Sequence, residues 1–338
     1  AAQDEIPILV FNPHPYPVQG SLDCEFVLPV QNWSDQLSIA EVYQNDSLVP
    51  SQMEKEESNL NLDWRKNVVF FATLPAMSVS RFICHIHFRD AQAFKIGPLA
   101  GNNFQFDNGR LQVNLNLNKG RIENLFFDGI QYVGHNAFAY KVIQDSADSW
   151  GSGVRSFAKV LDEFQLASPG ECALITGCKE AFCAPVRIVE DGQVRTVVEM
   201  IHTYGNSFIV TNIKLPKLGS MIEVETRVLW QEKDKLLKLS VPVALPDISF
   251  AAQSMFGQED YDNKGYRLSD DELLSQRYIL ANNEHHAMSV LLSELASYGF
   301  SHHDAELRIT LLRSPAFSAS KINDRELLPD RRFVHRVD

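Results

Sequence analysis

The 338-residue chain lacks long apolar runs and any excess of basic residues. Its longest apolar stretch, "VVFFATLPAM" at 68–77, is far short of the roughly 20 residues that span a bilayer. The formal net charge is −12, so nucleic acid and anionic membrane surfaces are poor candidate partners. The amino-terminal stretch shows no secretory signal pattern. We therefore expect a cytoplasmic protein without a nucleic-acid or membrane partner.

Cysteine is scarce, and its spacing excludes the common disulfide and zinc patterns. The five cysteines are an odd number, and none forms a CxxC pair. Cys172, Cys178 and Cys183 lie closest together, but the gaps of five and four residues between them do not match the usual zinc spacings. We therefore expect five free thiols and no metal site on these residues.

Alternation of apolar and polar residues with a period of two dominates the chain. It is clearest in "RLQVNLNLN" (110–118), "SMIEVETRVLW" (220–230) and "KLLKLSVPV" (235–243). Such alternation is typical of strands with one buried face. Dipeptides that favour tight hairpins separate several of these runs. They are Asn108-Gly109, Asp128-Gly129 and Asp191-Gly192.

Helical patterns are almost absent, which makes the predicted fold class all-β. Only "SDDELLSQRYILA" (269–281) begins like a helix, with Ser269 and Glu272 at capping-box spacing. Its apolar positions are irregular, so we predict at most a short helix there. Residues 1–98 are predicted to form a small β-sandwich, and residues 99–338 a large antiparallel β super-sandwich.

Two adjacent histidines raise the question of a metal site in "GFSHHDAELRITLLRSP" (299–315). In an extended chain neighbouring side chains point to opposite faces, so His302 and His303 cannot share a metal there. The same argument applies to His285 and His286. We interpret 299–315 as a strand, a polar turn and a second strand, without a bound metal.

The most distinctive loop is "DSADSWGSGVRSF" (145–157). Trp150 stands among acidic residues and could stack on a sugar ring, although a structural loop with a packed tryptophan would show the same pattern. Ser152 lies between glycines but lacks the GxSxG spacing of a nucleophile elbow. No dinucleotide-binding, phosphate-loop or HExxH motif occurs. The residues alone therefore predict no catalytic group.

Six segments together indicate a family resemblance through their order along the chain, although each segment alone is weak evidence. They are "VFNPHPYPVQG", "NGRLQVNLNLNKGRIENLFFDG", "DSWGSGVRSF", "GQVRTVVEM", "IEVETRVLWQEKDKLLKLSVPV" and "YGFSHHDAELRITLLRSPAFS". Together they resemble the β-rich region of glycoside hydrolase family 38, the α-mannosidases. That region lies C-terminal to the catalytic region of the family.

The resemblance implies that catalysis and structural support lie on different domains of a larger enzyme. Family members carry the aspartate nucleophile and most of a zinc site in an amino-terminal barrel-like domain, followed by a helical bundle. This chain resembles only the later β domains, of galactose-mutarotase-like architecture and truncated at the C-terminal end. We therefore expect no cofactor in this chain and zinc only in the intact enzyme. The family's own His-His-Asp-Ala motif lies in the helical region, so the match at 302–305 is interpreted as coincidence.

The same resemblance implies the partners and a candidate sugar-binding rim. The partners would be the enzyme's own catalytic and helical domains and a mannose-containing oligosaccharide, and a homo-oligomer of the intact enzyme stays open. The chain would brace the catalytic domain and line the sugar site. The candidate rim residues are Arg313, Asp324, Arg325 and Trp150.

Two alternatives belong to other functional classes. A free-standing carbohydrate-binding module would use Trp150 or Tyr140 as its stacking platform. A mutarotase-like sugar epimerase would need a histidine and a glutamate that face each other. His202 and Glu199 are the available pair, but a spacing of three on one strand places them on opposite faces.

Overall fold

The computed structural model describes residues 5–56, 63–90, 99, 101–145, 154–179, 183–261, 271–301 and 304–315. Its fold is all-β, as predicted, with antiparallel sheets throughout. The chain divides into two compact units. The first unit contains Ala1–Pro98, Arg187–Glu199 and Asn212–Glu225, and the second contains Leu99–Val186, Met200–Thr211 and Thr226–Asp338.

The amino-terminal part of the first unit is a sandwich of two sheets. Its strands are β1 (Glu5–Asn12), β2 (Val18–Asn32), β3 (Gln36–Gln44), β4 (Ser47–Leu48), β5 (Ser51–Glu54), β6 (Asp63–Leu74) and β7 (Ser78–Asp90). One sheet has the order β1-β7-β3-β4 and the other β2-β6-β5. Phe82 from the first sheet and Phe70 from the second meet in the core with their ring centroids 4.9 Å apart.

The remaining described elements follow in chain order. They are β8 (Asn103–Asp107), β9 (Leu111–Asn116), β10 (Arg121–Phe127), β11 (Ile130–Val133), β12 (Ala139–Gln144), β13 (Val160–Glu163), β14 (Gln165–Leu166), α1 (Pro169–Thr176), β15 (Val186–Asp191), β16 (Arg195–Tyr204), β17 (Ser207–Pro216), β18 (Glu223–Leu229), β19 (Lys235–Pro242), β20 (Ser249–Ser254), β21 (Gly257–Tyr261), β22 (Leu273–Ser275), β23 (Tyr278–Asn282), β24 (Ala287–Leu291), β25 (Ala296–Ser301) and β26 (Glu306–Ser314).

These strands form four further sheets. A six-stranded sheet of the second unit has the order β13-β12-β19-β26-β25-β22, and two four-stranded sheets have the orders β11-β10-β9-β8 and β21-β20-β23-β24. A five-stranded sheet contains β14-β16-β17-β18, with β15 paired to β16. Strands β16, β17 and β18 contribute residues to both units.

A buried arginine explains why residues 187–199 of the β15–β16 hairpin belong to the first unit. Arg195 is 5 % exposed and donates from Nη2 to Asp23 at 2.6 Å and to Glu54 at 2.7 Å. The Gln52 side-chain oxygen accepts the backbone N–H groups of Val194 and Arg195. Because an unpaired buried charge is costly, this network fixes the hairpin on the first unit.

The alternating segments form strands where they were predicted. In β9 and the residue that follows it, the four apolar positions are buried and the intervening residues lie nearer to solvent. In β18, Val224 is half-buried and Val228 is buried, and Ile222 just before the strand is half-buried. Hydrophobic alternation therefore located both strands.

The predicted hairpin turns are also present. Their glycines are required for two different reasons. Gly109, Asp128 and Gly129 have positive φ angles of 92°, 49° and 80°, the left-handed region that such turns require. Gly192 in the β15–β16 turn is not left-handed. A Cβ atom there would lie 2.5 Å from the side chain of Gln52, so close approach rather than backbone conformation requires the glycine.

The helix predicted within 269–281 does not form over the residues that the structure describes there, 271–281. They contain β22 and most of β23 instead. Glu272 forms cross-sheet hydrogen bonds to Lys238, Ser297 and Thr310. The capping-box spacing was therefore coincidental.

A capping box does occur at the start of α1, the helix that forms among the described residues. Ser168 caps it, Pro169 occupies its first position, and Glu171 completes a capping box with Ser168. Within the described part of the chain no helix is long and apolar enough to cross a membrane. No disulfide bond joins any of the five cysteines, all of which lie in the described part of the chain.

Candidate functional site

The six-stranded sheet of the second unit has one apolar face and one charged face, and both are largely buried. The residues Tyr140, Leu239, Ile309 and Tyr298 are register partners across four strands and are all buried. The next row on the opposite face is Lys141, Lys238, Thr310 and Ser297. We call the ionic groups on and around this second face the charged layer. It consists of Lys141, Asp145, Lys238, Glu272, Glu306, Arg308 and Arg313.

Glu272 holds the centre of the charged layer. Its Oε2 atom accepts a hydrogen bond from Lys238 Nζ at 2.5 Å, and the lysine side chain is 1 % exposed. Its Oε1 atom accepts hydrogen bonds from the hydroxyl groups of Ser297 and Thr310, both at 2.6 Å. A carboxylate just before β22 is thereby tied to β19, β25 and β26.

Glu306 forms a second ionic group at the other end of the same face. It accepts from Lys141 at 2.8 Å and from Arg308 at 2.9 Å. Burial alone would raise the pKa of Glu306, but these two cations outweigh it and hold the pKa below the ordinary value. Arg308 also donates to Asp304 at 2.7 Å, which fixes the turn before β26.

Arg313, the one predicted rim residue within the described part of the chain, lies in β26. It donates from Nε to both carboxylate oxygens of Asp145, at 2.9 and 3.0 Å, and from Nη2 to one of them at 2.8 Å. Its guanidinium carbon lies 5.1 Å from the centroid of the Phe157 ring. The other rim candidates, Trp150, Asp324 and Arg325, lie outside the described residues. Their rim role, and that of Arg313, stays a prediction.

Asp145 and Phe157 are the first and last residues of the distinctive loop noted in the sequence. The structure brings both ends of that segment to Arg313. Arg155, near the end of the loop, is bound to Asp271 through bonds of 2.7 to 3.0 Å. The charged layer therefore fixes the ends of segment 145–157 on the sheet. Sequence reasoning had singled out the loop but not these anchors.

The ionic groups of the charged layer serve a structural role, because they pair with one another. Each of its carboxylates accepts hydrogen bonds from a cation, and such charge-assisted hydrogen bonds hold the paired side chains in place. Among the described residues, no group of three or more His, Cys, Asp or Glu side chains could hold a metal ion. That zinc belongs to the intact enzyme and not to this chain stays a prediction.

Strands flank the His-His-Asp stretch on both sides, as the sequence indicated. Strand β25 ends at Ser301 and β26 begins at Glu306, with Ala305 at a positive φ of 49° between them. Asp304 accepts from Ser301 and Arg308. His302 and His303 lie outside the described residues, so the predicted absence of a metal on them stays a prediction.

Three of the residues named for the two alternative functions, Tyr140, His202 and Glu199, are placed in ways that do not suit those functions, and Trp150 lies outside the described residues. Tyr140 is 1 % exposed, and its hydroxyl group lies 2.6 Å from that of Thr211, so its ring is not available to stack on a sugar. His202 is buried, and its Nε2 atom donates to the Lys119 carbonyl at 3.1 Å. Glu199 forms an ion pair with Arg187. His202 and Glu199 therefore do not act as a facing pair.

Comparison with known proteins assigns the family. The family model described as "Glycosyl hydrolases family 38 C-terminal domain" matches residues 106–330, well over half of the chain. The chain therefore belongs to the C-terminal domain family of the family 38 glycosyl hydrolases. The match includes the six-stranded sheet and all members of the charged layer.

Individual relatives agree with this assignment. An α-mannosidase of Saccharomyces cerevisiae is 23 % identical over 222 residues, which cover 62 % of this chain and 20 % of the yeast protein. A family 38 glycosyl hydrolase from Enterococcus faecalis has a similar fold, with a TM-score of 0.63 at 12 % identity over 94 % of this chain and 41 % of that one. An α-mannosidase from Enterococcus faecalis V583 gives a TM-score of 0.61 at 12 % identity, covering 94 % of this chain and 40 % of its own. The chain thus spans less than half the length of these relatives.

Proposed function

We propose that this chain is the non-catalytic β-rich part of a family 38 α-mannosidase, in which it braces the catalytic region and lines the rim of the sugar site. The catalytic nucleophile and the zinc site of such an enzyme would lie on polypeptide outside residues 1–338. The substrate would be a mannose-containing oligosaccharide, and the expected compartment is the cytoplasm. The proposal assigns the chain a supporting role and no chemical step.

The observation that carries this proposal is the charged layer within the family-matched region. Buried ion pairs contribute little net stability compared with apolar packing, but they define one arrangement of the segments that they join. Here they join β12, β19, β25 and β26 to segment 145–157, through the Arg313–Asp145 pair and Phe157. A layer of this kind suits a scaffold that must hold a loop in one place beside a substrate.

The Asp145–Arg313 pair provides the test of the rim role. In the longest polypeptide that the gene encodes, Asp145→Asn removes the carboxylate charge without changing the side-chain size. We expect KM for an aryl α-mannoside to rise about tenfold, comparable to the loss of one charged hydrogen bond. We expect kcat to stay within about twofold, since no reacting group is touched. Steady-state kinetics measures both constants.

The matched control is Asp128→Asn, because Asp128 also pairs with an arginine, Arg110, but at an exposed turn. This control should leave KM and kcat unchanged. A circular dichroism melting curve for each variant shows whether it is folded. If folded Asp145→Asn and Arg313→Gln variants both keep the wild-type KM, the rim role is wrong.

A further inference from the structure

Three of the five cysteines lie near the carboxyl end of α1 and contact one side chain, that of Thr176. The Thr176 hydroxyl group donates to the Cys172 carbonyl at 2.7 Å and accepts the backbone N–H of Cys178 at 3.3 Å. The Sγ atom of Cys183 lies 3.8 Å from the same hydroxyl oxygen. A single hydroxyl group therefore brings Cys183 next to Cys178.

A second contact places the Cys183 thiol at the same point of the chain. Gly177 ends α1 in the left-handed conformation, with a φ of 71°, and such a residue turns the chain away from the helix axis directly before Cys178. The Cys183 thiol donates to the Lys179 carbonyl at 3.4 Å. The sulfur of Cys183 thus lies beside the backbone of residues 178 and 179.

The two thiols differ in exposure, as an attacking and a resolving cysteine do. Cys178 is exposed and Cys183 is half-buried. An exposed thiol can meet a small oxidant, whereas a half-buried neighbour is shielded from the oxidant but can attack a sulfur atom beside it. Cys183 packs against a small cluster formed by Ala167, Cys172 and Ile201, which holds its side chain close to the end of α1.

The other three cysteines lack this combination of exposure and a neighbouring thiol. Cys172 is 1 % exposed. Burial, with a smaller contribution from Cys24, raises the pKa of Cys84 to about 12, and burial also raises the pKa of Cys24. The thiolate is the form that attacks a disulfide, so we expect Cys24 and Cys84 to react slowly at neutral pH.

We propose that Cys178 and Cys183 form a redox-active dithiol site, which a small-molecule disulfide such as glutathione disulfide oxidises reversibly. The Cys178 thiolate attacks one sulfur of the oxidant, and a glutathione thiolate leaves with the electron pair of the broken S–S bond. The Cys183 thiolate then attacks Cys178 Sγ in this mixed disulfide and expels the second glutathione. One S–S bond forms in the chain, one breaks in the oxidant, and the two thiol protons pass to the two glutathione molecules.

This inference is independent of the proposed function, because it needs no residue outside 1–338. Folded chain 1–338 is incubated with excess glutathione disulfide, quenched with acid, alkylated and analysed by peptide mass spectrometry. We expect the number of titratable thiols to fall by two per chain, with Cys178 and Cys183 joined in one disulfide. Dithiothreitol should restore all five thiols.

Single variants separate the two steps of the reaction. In Cys183→Ser only the first step can occur, so glutathione should remain bound to Cys178 as a stable adduct. In Cys178→Ser the exposed thiol is absent, so an adduct at Cys183 should form at least about tenfold more slowly than the adduct at Cys178. Cys24→Ser removes another half-buried thiol and should be oxidised like the wild type. Circular dichroism melting curves show whether each variant is folded.

The same oxidation in urea shows whether the fold or only the short sequence spacing brings the thiols together. We expect one disulfide from the folded chain and a mixture of disulfides from the unfolded chain. The proposal would be overturned by the same mixture from both states, by unchanged thiols, or by a glutathione adduct at Cys178 that persists in the wild type. A disulfide between two copies of the chain, or one that includes Cys172, would also overturn it.

Discussion

Lys238→Met is expected to lower the free energy of unfolding by about 3–5 kcal/mol, the usual cost of breaking a buried ion pair by removing one partner. Lys238 is 1 % exposed, and this variant replaces its ammonium-bearing end, next to Glu272, with an uncharged thioether. Methionine fills a similar volume, so the loss reports the uncompensated carboxylate rather than a cavity. Urea denaturation followed by circular dichroism measures the change.

Two variants separate the charge effect from a general loss of packing. The double variant Lys238→Met, Glu272→Gln no longer carries a buried unpaired charge, so it should be more stable than Lys238→Met alone. Arg110→Met removes one partner of the exposed Arg110–Asp128 pair and should have little effect, because exposed ion pairs contribute little. If Lys238→Met were as stable as the wild type, the charged layer would not have the ionic character described above.

His202 is expected to make the protein less stable in acid by about 3 kcal/mol between pH 6.5 and pH 4. Burial, with a smaller contribution from the charge of Arg121, lowers the pKa of His202 to about 4 from the ordinary 6.5. Within this range the unfolded chain binds a proton that the folded chain does not, so falling pH favours unfolding. Above pH 6.5 the histidine is neutral in both states and has no effect.

The measurement compares the pH dependence of the unfolding free energy in wild type and His202→Gln. Glutamine keeps a donor for the Lys119 carbonyl but does not titrate, so the difference between the two curves isolates the histidine. Parallel curves for wild type and His202→Gln would show that the buried imidazole is not held neutral.

Sequence reasoning succeeded where one face of a strand meets water and failed where both faces are covered. Residues 110–118 alternate because every second side chain is exposed, and the structure confirms that strand. Strand β19 shows the same alternation, but its polar face, which includes Lys238, is also buried. Hydrophobic periodicity cannot distinguish a wet polar face from a buried ionic one, because the covering segments come from distant parts of the chain.

The candidate site was predictable only in part for the same reason. The sequence singled out Arg313 and the loop 145–157, but it gave no sign that Asp145 is the partner of Arg313, 168 residues away. Glu272 was interpreted as a helix cap because Ser269 stands three residues before it. The contacts that Glu272 makes across the sheet override this local helix preference, as tertiary packing often does.

The most direct test of the supporting role is hydrolysis of an aryl α-mannoside by purified chain 1–338 and, in parallel, by the longest polypeptide that the gene encodes. We predict no turnover by chain 1–338, because the three carboxylates of its charged layer are bound to cations. We predict turnover by the longer polypeptide. Turnover by chain 1–338 that persists through purification and disappears on substitution of one of its own residues would contradict the account.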